Sequence, residues 1–128
     1  MKPFILVLLF FISITAISQN FTRQDSLRGS ITPERAWWNL THYELQVEVD
    51  LEKKTIHGLN TISYNVLETN SKMQIDLQAP MIIEKVLQNR KELLFTSEGN
   101  AHFIQLQKEQ EKGSNQKITV YFSGKPPI

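Results

Sequence analysis

Between Trp37 and Val66 the chain alternates so regularly that it has little choice but to form two long strands. From His42 the apolar residues Tyr43, Leu45, Val47 and Val49 fall on one side, and Glu44, Gln46, Glu48 and Asp50 on the other. A period of two puts successive side chains on opposite faces of a pleated strand; a helix would scatter the same pattern around its circumference. A half-buried strand with one wet face is therefore expected. Asp50 to Lys54 is a polar turn, and a second strand follows with Ile56, Ile62, Tyr64 and Val66 in phase. Leu59 breaks that phase while Gly58 and Asn60 keep it, which predicts a β-bulge near Gly58.

The rest of the chain repeats the alternation in shorter pieces. Met73, Ile75 and Leu77 alternate up to Ala79-Pro80. Met81 to Leu87 sets Ile82 and Val86 on one side against Ile83 and Leu87 on the other, so a central strand apolar on both faces is expected. Leu93-Leu94-Phe95, Ala101 to Leu106, and Ile118, Val120 and Phe122 are further strands. They are separated by turns at Gln88 to Lys91 and Glu98-Gly99-Asn100 and by a long polar loop from Lys108 to Asn115. About seven to eight strands at roughly ten-residue spacing, with almost no helix, predict an all-β fold, an antiparallel β-sandwich. The last strand is expected to present an uncovered edge. Before the first strand, Thr32-Pro33-Glu34-Arg35 has the grammar of a helix start: a cap, a proline at the first helical position and an acid near the positive end. One or two helical turns should end near Trp38. Trp37 and Trp38 are adjacent and cannot share a face, so one should plug the core edge while the other meets something else.

The ends of the chain suggest its compartment. Lys2 precedes an apolar run from Phe4 to Ile17, broken only by Ser13 and Thr15, and Ala16-Ile17-Ser18 supplies small residues for signal peptidase. Residues 1–18 are thus expected to be a cleaved signal peptide, with an uncleaved signal anchor as the alternative. A polar, extended leader over residues 19–30 and one β-domain over residues 31–128 follow. The protein is expected to be exported, periplasmic or extracellular. There is no cysteine, so neither disulfides nor an acylated-cysteine anchor enter the account. The 14 basic and 13 acidic residues give a formal net charge of +1, and Lys2 accounts for it. A neutral, interspersed remainder offers no footprint for nucleic acid and no polybasic patch for a membrane.

Motifs for chemistry are absent. His42, His57 and His102 lie at no metal-ligand spacing, though His42 and His57 could meet across neighbouring strands. No serine sits in a nucleophile elbow; Ser26, Ser71, Ser97, Ser114 and Ser123 read as loop or strand-end residues. The stripe Glu44, Glu48, Asp50 reads as a solvated face, and the glycines are too isolated to cradle phosphate. Asn20-Phe21-Thr22 and Asn39-Leu40-Thr41 match the short N-glycosylation pattern. No catalytic, cofactor-binding or metal-binding residue is expected in this chain. If it is a free-standing exported β-sandwich that binds a partner, Trp37-Trp38 and the acidic stripe are its candidate contacts.

Taken in order, several segments resemble a known family. His42-Tyr43-x-Leu45-x-Val47-x-Val49-Asp50, then Lys54-Thr55-Ile56-His57-Gly58, looks like the opening of the aminopeptidase N-type zinc metallopeptidases. The stretches from Met73 to Pro80, Gly99 to Leu106 and Val120 to Pro126 are similar to that family's following strands. The resemblance implies a saddle-like N-terminal β-domain, incomplete at its C-terminal end, from an exported aminopeptidase. It implies zinc and peptide substrates for the parent's catalytic domain, which would be this domain's partner. The HExxH motif, the distant glutamate, the GAMEN-like stretch and the catalytic tyrosine of the family are not in this sequence, so no family site residue is carried over.

Overall fold

The computed structural model describes residues 20–127, and the signal-peptide reading falls on residues outside them. The segment read as an extended leader contains a helix, α1 (Arg23–Gly29). Thr22 and Asp25 form a reciprocal capping box: the Asp25 N–H donates to the Thr22 hydroxyl oxygen at 3.2 Å, and the Thr22 N–H donates to the Asp25 carboxylate at 2.9 Å. Leu27 is buried, and its carbonyl accepts from Gln74 Nε2 at 3.3 Å. Arg23 holds Glu98 through two nitrogens, Nη2 at 2.9 Å from Oε2. A single buried apolar residue gives a helix no periodicity to read, which is why the sequence pattern points to a leader there.

The second helix, α2 (Pro33–Ala36), is a single turn, with proline at its start as expected. Thr32 occupies the capping position without capping; its hydroxyl donates instead to Gln74 Oε1 at 2.6 Å. Tertiary contact wins over the local motif, and β-structure begins at once.

Seven strands follow: β1 (Trp38–Asp50), β2 (Thr55–Val66), β3 (Asn70–Asp76), β4 (Ile82–Gln88), β5 (Lys91–Glu98), β6 (Ala101–Gln110) and β7 (Asn115–Gly124). They form one antiparallel sheet in the order β1-β2-β7-β4-β5-β6-β3. The start of β5 pairs with β4 and its remainder with β6, so the sheet curls at β5 and stays open between β1 and β3. The fold is all-β and antiparallel, and its two layers are the two halves of this curled sheet. Tyr64, Val66, Met73, Val86, Ile104, Leu106 and Ile118 fill the space between them. Burial pushes the Tyr64 phenol up to about 12, and its oxygen accepts from Gln88 Nε2 at 3.2 Å.

Expectations about the last strand, the Lys108–Asn115 loop, Gly58 and β4 also change in the structure. The last strand is no edge: β7 lies between β2 and β4, and the edges are β1 and β3. The loop expected from Lys108 to Asn115 is shorter, because β6 continues to a buried Gln110 that pairs with Asn70. There is no bulge at Gly58, where pairing with β1 is unbroken; the irregularity lies between Leu40 and His42. Gly58 instead permits a close approach, since a Cβ there would stand 2.0 Å from the Gln46 carbonyl oxygen. Finally, β4 is not apolar on both faces. A register shift between Ile83 and Lys85 turns Ile83 and Val86 both into the core and leaves Ile82 exposed.

Candidate functional site

The strand expected to be half buried is not. Along β1, Tyr43, Leu45, Val47 and Val49 are between 46% and 60% exposed, although they share the apolar face. The opposite face is wet as expected, so β1 is open on both sides. Its register places Tyr43 beside Ile62, Leu45 beside Asn60 and Val47 beside Gly58. On the far side of β2, Ile62 meets Ile118, Asn60 meets Val120 and Gly58 meets Phe122. Tyr43 with Ile62, Leu45 with Asn60 and Val120, and Phe122 form the floor of a groove of about 640 Å³. Ile75 and Leu77 of the β3 side and Met81 and Ile83 wall it opposite β1. Because the sheet curls, residues near both edges face one hollow.

Two polar features interrupt the apolar lining. At one end Arg35 pairs with Asp76, next to Gln74. In the floor, the side-chain oxygen of Asn60 is buried without a hydrogen-bond partner. An acceptor left in that condition costs about 1–3 kcal/mol.

The tryptophans divide as the sequence predicts. Trp37 is 2% exposed, stands edge-on to Tyr64 and donates from Nε1 to the Lys72 carbonyl at 2.7 Å. Trp38 is half buried, lies against the core, donates to the Glu34 carbonyl at 3.1 Å and presents its remaining surface to the groove.

The remaining candidates do not converge on chemistry. His42 pairs with Ser63, while His57 lies beside Glu48 with Nε2 3.1 Å from its carboxylate, so the two histidines do not meet. His102 is buried. Its Nδ1 is 2.7 Å from the Ser97 hydroxyl, but its other nitrogen faces the Leu77 backbone carbonyl rather than a carboxylate. The pair locks the β5–β6 hairpin and lacks the acid that would orient a catalytic imidazole. Among the described residues no three His, Cys, Asp or Glu side chains gather closely enough to hold a metal ion. Asn20 and Asn39 are both exposed. The groove is the feature that sequence reasoning missed. The alternation identified the apolar face of β1, but alternation carries no information on whether anything covers that face.

No protein-family model matches the sequence. No curated protein matches it either. Solved structures do match. A mutant of the M1 zinc metallopeptidase from Deinococcus radiodurans aligns with a TM-score of 0.65 at 14% identity, over 74% of this chain and 22% of that one. The M1 zinc metallopeptidase from the same organism aligns at 0.64 and 15%, over 73% and 22%. A two-domain M1 zinc metallopeptidase mutant bound to L-arginine gives 0.64 and 16%, over the same shares. At such identity the likeness shows the fold. The chain has the fold of one part of these metallopeptidases and spans 22% of their length.

Proposed function

We propose that this chain is part of the N-terminal supporting β-domain of an exported zinc aminopeptidase-like protein, in which a separate catalytic domain binds zinc and removes residues from the N-termini of peptides. The observation that carries this reading is the match of its curled sheet to about a fifth of several M1 zinc metallopeptidases, which leaves most of such a protein to be supplied by other domains. The ordered run of family-like strand motifs from His42 to Pro126 supports the same assignment. The apolar groove supports it too: a supporting domain needs an uncovered face where the rest of the protein packs. In this reading the chain acts as scaffold and carries no bond-breaking group.

Two measurements test the proposal. The coding sequence downstream of the Ile128 codon is expected to continue in frame into HExxH and a later glutamate. A stop codon with no such frame beyond it overturns the parentage. The purified chain is expected to leave aminoacyl-anilides intact with or without added zinc, and cleavage by clean protein overturns the scaffold role. A free-standing exported binding module is the second reading, favoured by one observation: the groove is as large as a small-molecule pocket and mostly apolar.

A further inference from the structure

We infer that the outer edge of β1 receives an extended peptide strand whose side chains alternate between apolar and basic. The inference rests on the edge as the described residues leave it; a parent's catalytic domain packed on the groove would compete with the peptide for the same face.

The two edges of the sheet differ. β3 is covered: α2 packs on it, the Trp37 indole N–H caps the Lys72 carbonyl, and Thr32 holds Gln74. β1 is 13 residues long, and no described element pairs with its outer side. In an antiparallel pair, alternate residues turn their N–H and C=O groups away from the partner, so an open edge is a template for another strand. Protected edges usually carry lysine, proline or a bulge to prevent such pairing. Between Trp38 and Asp50 there is no lysine, arginine or proline, and the one register shift lies near the start, leaving His42 to Asp50 regular.

The two faces of β1 specify what would pair there. Residues directly opposite across a strand pair share a face. On the groove side a partner would lie beside Tyr43, Leu45 and Val47, which are half exposed and apolar, so its inward side chains must be apolar. On the outer side the partner would lie beside Glu44, Gln46 and Glu48. Glu48 has only His57 nearby, and Glu44 has no ion-pair partner among the described residues. Lysine or arginine there completes the pairs. The same geometry disfavours a second copy of this chain in the register centred on Gln46, where antiparallel self-pairing would set Glu44 opposite Glu48 in both directions.

The test titrates the chain with a fluorescent nine-residue peptide of alternating lysine and valine. Saturable binding is expected, with new amide-exchange protection confined to His42 through Asp50. The exposed double substitution Glu44→Lys with Glu48→Lys should weaken binding about five- to tenfold. Methylation of alternate peptide nitrogens should abolish it, because strand pairing needs those donors. The inference is overturned if a glutamate–valine peptide binds equally well, if the methylated peptide still binds, or if β1 amides gain no protection. It is also overturned if those amides become protected with rising protein concentration and no peptide, which would make a second copy the occupant.

Discussion

Trp37 ties the core to the β3 edge with one ring, its carbons packed against Tyr64 and its N–H on the Lys72 carbonyl. Replacing it with alanine removes a buried aromatic and orphans that carbonyl, so Trp37→Ala should cost about 3–5 kcal/mol. Trp38→Ala should cost clearly less, since part of that ring already faces water in the groove. Denaturant midpoints at unchanged slope read the difference, and equal shifts for the two variants would contradict the assignment. Adjacency alone shows that the two indoles part company. It cannot show which one goes inside, because that depends on β3, which lies about 35 residues further along the chain. Asn60 has the same ambiguity. In sequence it is one polar residue in an alternating strand, and only the fold reveals that its oxygen is buried without a partner.

The elements that read most clearly are those whose apolar residues repeat: β1, β2 and β7 lie where the alternation puts them, and β6 starts there and runs on to Gln110. Gly58 was legible as special but not in kind, because the absence of a Cβ serves a bulge and a close backbone approach equally well. Gly58→Ala should push β1 off β2 and cost about 1–3 kcal/mol. Its signature would be faster amide exchange along β1 with β6 unchanged, and uniform loosening would point to a cause other than the Gln46 contact. The short helix α1 makes a different prediction. Hydrogen bonding from the Thr22 side chain, then its backbone, holds the Asp25 carboxyl below its ordinary range, and the Arg23 guanidinium does the same for Glu98. A carboxyl whose folded pKa is depressed contributes stability above its unfolded pKa of about 4 and loses it as pH falls through the lower folded value. Acidification below about pH 4 should therefore release α1 while the sheet persists, read as amide exchange at Arg23 to Gly29. Simultaneous loss of helix and sheet would show that these pairs do not govern the docking of α1.

At the scale of the molecule, the curl of the sheet matters more than any one strand. It brings β1 and the β3 side around one hollow and leaves the apolar face of β1 in water. The chain should accordingly bind the dye ANS in its native state, and Leu45→Glu should reduce that fluorescence without altering the far-ultraviolet dichroism. Unchanged fluorescence would place the dye elsewhere. The antiparallel all-β class and the β1–β2 pair were readable from the pattern, but the curl was not, because alternation fixes faces and says nothing of which distant strands become neighbours. The misplacement of β7 shows it: β7 comes last in sequence and lies in the middle of the sheet.

That position orders events during synthesis. Among the described residues β7 is the only strand joining the β1–β2 hairpin to the β4-β5-β6-β3 half, so a nascent chain that has not yet delivered Asn115 to Gly124 holds two pieces with no strand pairing between them. Pairings between segments so distant in sequence are slow to form. Until the ribosome releases this stretch, β2 and β4 each keep a bare side available to chaperones or to a neighbouring nascent chain.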